Sequence, residues 1–222
     1  MRLFIDSANV REIEDALSRG VVCGVTTNPS ILAKEPKSDF KTLVKSIVSV
    51  LRSAPRPIPL SVEVFSTRPE QMIAQACDFV EAFDYEELYV KIPIGWNEFK
   101  VIHELKKREV KVNCTGCMSF NQALLAANAG ADFISLFYGR IRDAGDDAFT
   151  VVEQTCSTLK KAGSKSQVII GSIRHIYDIN DAIRAGADFV TVPPQFLPQM
   201  AAHPKTDEVV RQFVKDFEKW LE

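Results

Sequence analysis

The sequence predicts one (β/α)8 barrel of the TIM type, and three observations carry that prediction. Eight short apolar runs recur along the chain. Amphipathic stretches with helical spacing separate them. One helix-end-to-strand phrase occurs twice, as repeated βα units would have it.

The runs fall at residues 3–5, 21–25, 58–64, 88–92, 110–114, 133–137, 168–170 and 189–192. They are rich in Val, Ile and Phe, as strands covered on both faces should be. Between them the apolar residues follow a helical period, as in Phe40, Leu43, Val44, Ile47, Val48 and Leu51. Strands that alternate with helices pair in parallel through crossover connections. The repeated phrase is Asn128-Ala-Gly-Ala-Asp-Phe133 and Arg184-Ala-Gly-Ala-Asp-Phe189. In each, Gly130 or Gly186 supplies the left-handed cap that ends a helix before the next strand, and Gly20 plays the same part before Val21. No Gly/Ser linker divides the chain, so residues 1–222 read as a single domain. Eight strands suit a closed barrel, with an open doubly wound sheet as the alternative. An extra C-terminal helix is expected at about 207–221. Its stripe of Val209, Val210, Phe213, Phe217, Trp220 and Leu221 must cover either its own barrel or a neighbouring subunit.

Composition narrows the function. The 222 residues are 46% hydrophobic and 25% charged, with a formal net charge of -2. That is ordinary for a soluble globular protein. No dense Lys/Arg run marks a nucleic-acid or membrane partner. The opening apolar stretch stops at Asp6, unlike a signal peptide, and no apolar run is long enough to span a bilayer. Five scattered cysteines, an odd number, suit a reducing compartment, so a cytoplasmic protein is expected. Cys114 and Cys117 form a lone C-x-x-C with no second ligand pair; packing is the expectation there, with no metal and no cofactor.

In such a barrel the active site lies at the C-terminal ends of the strands. The polar groups expected there are Asp6, the stretch Thr26-Thr27-Asn28-Pro29-Ser30, Glu63, Lys91, Asn113 with Thr115, Ser135, and Ser172 with Arg174. Lys91 is central. A lysine inside the apolar run Leu88-Tyr-Val-Lys-Ile92 is unusual. An amine in apolar surroundings is driven toward its neutral form, which attacks carbonyls. The alternative is a lysine at an exposed strand edge or in a structural ion pair. Asp6 is placed to move protons to and from a sugar hydroxyl, or else to cap the helix beginning near Val10, a task Ser7 or Asn9 would also perform. Glu63 holds a water or the Lys91 amine, or is only a buried ion-pair partner. Ser172 and Arg174 follow the seventh strand, where barrels of this type gather phosphate oxygens, and Arg140 after the sixth strand would join them. For the arginines the alternative is an exposed pair worth little.

The motifs Phe4-Ile-Asp6-Ser-Ala-Asn9, Gly24-Val-Thr-Thr-Asn-Pro-Ser30, Val90-Lys-Ile-Pro93, Asn113-Cys-Thr115, Asn121-Gln-Ala-Leu-Leu125, Phe137-Tyr-Gly-Arg140 and Gly171-Ser-Ile-Arg174 occur in this order over essentially the whole chain. Together they resemble the short-chain branch of the transaldolase family, which also holds fructose-6-phosphate aldolases.

The resemblance implies a Schiff base between Lys91 and a ketose donor, with Asp6 deprotonating the C4 hydroxyl. Glu63 and Thr115 would hold the catalytic water. Asn28, Asn113 and Ser135 would bind the dihydroxyacetone unit, with Thr27 and Phe137 beside them. Arg140, Ser172 and Arg174 would bind the far anionic group. Glu63 and Phe137 stand where the aldolases look to carry Gln and Tyr, which favours transfer over simple cleavage. The implied reaction moves dihydroxyacetone from a fructose 6-phosphate-like ketose to erythrose 4-phosphate or glyceraldehyde 3-phosphate. Ring-shaped homo-oligomers, pentamer or decamer, are implied too.

The rim departs from the family pattern at Leu136, Tyr138, Gly116, Cys117, Met118, Gly171, Pro194 and Gln195. A 6-sulfonated ketose is therefore an alternative donor. An aldolase releasing free dihydroxyacetone, and a sugar-phosphate-binding barrel without catalysis, are the other readings.

Overall fold

The computed structural model describes residues 2–221. Eight parallel strands close on themselves in sequence order: β1 (Arg2–Asp6), β2 (Val25–Thr26), β3 (Leu60–Glu63), β4 (Leu88–Pro93), β5 (Val112–Cys117), β6 (Phe133–Phe137), β7 (Gln167–Gly171) and β8 (Phe189–Val192), with β8 pairing β1. The open doubly wound sheet is thereby excluded.

The crossover helices form the outer ring. They are α1 (Val10–Ser18), α3 (Phe40–Arg52), α4 (Pro69–Phe83), α5 (Glu98–Lys107), α6 (Phe120–Asn128), α8 (Ala148–Lys161) and α9 (Ile176–Arg184). Each turns an apolar stripe inward; on α3 the buried residues are Val44, Ile47, Val48 and Leu51. Short helices α2 (Pro29–Leu32), α7 (Tyr138–Asp143) and α10 (Phe196–Ala201) follow β2, β6 and β8. Gly20, Gly130 and Gly186 all take positive φ after their helices, as the sequence indicates.

Two strands sit differently from the apolar runs. The run at 21–25 yields a strand of only Val25–Thr26, because Val21 is half exposed and the chain meets β1 through single bonds, Cys23 N–H to Leu3 O and Ile5 N–H to Gly24 O. The run at 110–114 becomes Val112–Cys117, and Gly116 at φ 78° lies within a register shift against β6.

Side chains alternate between the barrel interior and the helical layer with period two. On the inward face this gives Phe4 then Asp6, Tyr89 then Lys91, Phe133 then Ser135, and Phe189 then Thr191. The lower members form a closed aromatic plug. Phe4, Phe133, Ile169 and Phe189 are buried together, and Tyr89 stacks on Phe133 at 4.2 Å between centroids. Gly24 makes room for it, since a Cβ there would collide with the Phe4 ring. The upper members are polar and open toward the C-terminal mouth.

The last helix, α11 (Pro204–Leu221), begins a turn earlier than expected and has no buried residue. Phe213 is 67% exposed and Trp220 77%. Its apolar stripe therefore does not cover its own barrel. No helix of the described residues is long and apolar enough to cross a membrane.

Candidate active site

At the C-terminal mouth a cavity of about 400 Å³ is walled by Asp6, Asn28, Glu63, Lys91, Ser135, Phe137, Arg140 and Ser172, together with Thr26 and Thr191. Three larger depressions, of about 670, 720 and 530 Å³, lie outside the barrel: along α1 beside α3, beside α10, and beside the end of α8. None of them is lined by Asp6, Glu63 or Lys91, the polar groups at the C-terminal strand ends where barrels of this type do their chemistry.

Lys91 is only 4% exposed. Its Nζ lies 3.1 Å from Glu63 Oε2 and donates to the Thr27 carbonyl at 2.9 Å. The pairing follows from register, because Glu63 and Lys91 are directly opposed on β3 and β4. Both partners are oxygen acceptors for the Lys91 amine. Lys91 is thus interior, not at an exposed edge, while the ion pair foreseen as its alternative is also present.

Asp6 leaves the capping of α1 to Asn9, whose side chain accepts from the Arg11 and Glu12 N–H groups. Its carboxylate instead accepts from Thr26 Oγ1 at 2.6 Å, and Thr26 Oγ1 lies 2.6 Å from Thr191 Oγ1. With Thr26 donating to Asp6, Thr191 must donate to Thr26. Burial raises the carboxyl's pKa above its ordinary 3.8, while the Thr26 hydrogen bond and the charge of Lys91 pull the other way. A carboxyl held more basic than usual is a better proton acceptor.

Beneath the mouth lies a second chain of bonds. Ser135 Oγ donates to Asn113 Oδ1 at 2.7 Å, and Asn113 Nδ2 donates to Ser61 Oγ at 3.0 Å. Asn113 is fully buried, so it orients Ser135 from below the wall. Thr27 uses its hydroxyl on the Ser61 carbonyl and offers Lys91 its own carbonyl. Thr115 Oγ1 is buried with no hydrogen-bond partner among the described residues. Asn28 caps α2 by accepting from the Ile31 N–H at 3.0 Å.

At the far side, the Arg140 guanidinium lies over the Phe137 ring, 5.6 Å from its centroid. Ser172 has φ 59°, a left-handed conformation uncommon for a residue with a side chain. Gly139 packs on it, donating its N–H to the Ser172 carbonyl at 3.0 Å, and a Cβ on Gly139 would collide with that oxygen. Arg174 is not among the side chains lining the cavity. Its guanidinium pairs with Asp143 at 2.6 Å on the rim. Sequence reasoning did not single out Thr191, Ser61 or Asp143. For the first two the available signal was a hydroxyl in an otherwise apolar strand; for Asp143 there was none. Cys114 and Cys117 are both buried on β5.

An eight-stranded α/β barrel with a buried, carboxylate-paired lysine at its mouth is the framework of an enzyme acting on carbonyl compounds. Comparison with known proteins narrows the class. The chain belongs to the Transaldolase/Fructose-6-phosphate aldolase family, whose pattern it matches over residues 3–222. It is 40% identical over 220 residues to a probable transaldolase of Caldicellulosiruptor saccharolyticus, covering 99% of this chain and 98% of that one. Probable transaldolases of Dehalococcoides mccartyi and Desulforudis audaxviator are 41% and 42% identical over 217 residues, each covering 98% of this chain and 98% and 97% of their own.

Proposed function

We propose that the chain is a cytoplasmic transaldolase, acting as one domain and carrying dihydroxyacetone on Lys91 from a 6-phosphorylated ketose to an aldose such as erythrose 4-phosphate or glyceraldehyde 3-phosphate. The single observation that carries this reading is the buried Lys91 amine beside Glu63 in a polar mouth. The deprotonated amine adds to the ketose C2 carbonyl, and loss of water leaves an iminium. Asp6 accepts the C4 hydroxyl proton as the C3–C4 bond breaks, and the bond's electrons enter the iminium to give an enamine. The first aldehyde departs, the acceptor aldehyde adds to the enamine, and Asp6 returns its proton. Hydrolysis frees Lys91 and the new ketose. Glu63 is close enough to Lys91 to relay protons through a water, and the buried hydroxyl of Thr115 is available to hold that water. Asn28 and Ser135, the latter oriented by Asn113, would bind the retained three-carbon unit. Arg140 and Ser172 would face the far anion, with Arg174 at its edge.

A second reading has a 6-sulfonated ketose as donor, and Asp143 favours it. Arg140 and Arg174 bring two positive charges, and Asp143 cancels one of them. One net charge matches a sulfonate, whereas a phosphate ester carries close to two at neutral pH.

Borohydride reduction in the presence of the 6-phospho ketose tests the covalent step. Peptide mass analysis should find a three-carbon addition on the peptide containing Lys91. An adduct that forms equally in Lys91→Ala would overturn the assignment.

A further inference from the structure

One buried carboxylate has no part in the chemistry above. Asp178, in the first turn of α9, is 1% exposed, and no other acid among the described residues is so enclosed. Its Oδ1 accepts from Arg142 Nη1 at 2.5 Å. Its Oδ2 accepts from the backbone N–H groups of Arg174 and His175 at 2.8 and 2.9 Å. Capping α9 explains the two backbone bonds. It does not explain Arg142, which belongs to α7 and reaches across from the neighbouring strand end. A fully enclosed carboxylate must keep its donors, because an uncompensated buried charge is strongly unfavourable. Asp178 therefore ties α7 firmly to the loop after β7.

Those two segments carry Arg140 and Ser172. They also meet directly, where Gly139 lies on the Ser172 carbonyl and Ser172 keeps a left-handed φ of 59°. A strained residue persists only where its surroundings over-determine it. The Asp178–Arg142 link supplies part of that determination from behind the site.

We propose that Asp178 and Arg142 are positioning residues that lock Arg140 and Ser172 into one receptor for the substrate's distal anion, and so set the preference for charged over neutral ketoses. The proposal rests on the distal-anion reading above. Neither residue touches substrate; both act through the segments that do.

The test uses the full-length enzyme and a pair of ketoses, one 6-phosphorylated and one uncharged, with kcat and KM resolved for each. Asp178→Asn should raise KM for the charged ketose at least about fivefold, the scale of a lost coupling between neighbouring groups, with a smaller change in kcat. Selectivity for charge should fall by a similar factor. Arg142→Met should move it in the same direction. The Arg142 side chain is 43% exposed, so this change disturbs the core less than one at Asp178. Arg142→Lys, which keeps the charge, should retain more selectivity than Arg142→Met. The double variant should be no worse than the more damaged single, because only one link is being cut. Equal losses on charged and uncharged ketoses, or fully additive singles, would reduce Asp178 to a structural cap. Arg140→Ala serves as reference. If it abolishes the preference while Asp178→Asn leaves it intact, this inference alone is overturned. If Arg140→Ala also leaves it intact, the distal-anion reading falls and this one with it.

Discussion

Asp6 shows what a desolvated carboxyl at the barrel mouth costs the fold. Its carboxyl is raised above 3.8 mainly by burial. Below the unfolded-state value the group is protonated in both states and contributes no cost. As pH climbs through the folded value, the native state must hold a desolvated charge, and stability is lost. We therefore expect Asp6→Asn to raise Tm near neutral pH, with the two Tm curves converging in acid. A gap that stays constant with pH would mean that the effect is packing, not ionisation. The acid limb of kcat/KM should likewise lie above 3.8 in the wild-type enzyme. That Asp6 reaches the mouth was legible from its place at the end of an apolar run. Its link through Thr26 to Thr191 was not, because 165 residues separate the two threonines and only barrel closure brings them together.

The strands and outer helices were legible because burial on both faces of a strand, and on one face of a helix, writes a regular pattern. Short helices α2, α7 and α10 left no such trace. They are four to six residues long, too short for a stripe, and the structure fixes them by their neighbours. Arg174 illustrates the consequence. Its position after β7 pointed to anion binding, yet its partner Asp143 ends α7, 31 residues earlier in the sequence, and that pair becomes visible only once α7 is in place. The sulfonate reading proposed above makes this pair a determinant of donor choice at the rim. Asp143→Asn removes the cancelling charge, so kcat/KM for a 6-phospho ketose should rise relative to the 6-sulfo ketose. Surface screening keeps the effect modest, within about tenfold, since both side chains are about half exposed. An unmoved ratio would take Asp143 out of donor selection.

At the scale of the molecule, α11 is the element with no account inside one chain. Val210, Phe213, Val214, Phe217, Trp220 and Leu221 are all more than half exposed along one 18-residue helix. A contiguous apolar patch of that kind marks an interaction surface. The reading of the chain as a homo-oligomer, ring-shaped by resemblance, gives the helix a second copy to cover. Truncation after Thr206 should lower the mass seen by light scattering while the barrel stays folded by circular dichroism. An unchanged mass would assign the helix to some other surface.

The aromatic plug has a kinetic meaning as well. Phe4, Phe133, Ile169 and Phe189 close the axis from below, so that among the described residues the C-terminal mouth is the one doorway to Lys91. In the reaction proposed above, a transfer between two sugars through one doorway is done by turns: the first product must walk out before the second guest walks in, and the enzyme must hold its cargo in the meantime with the door ajar.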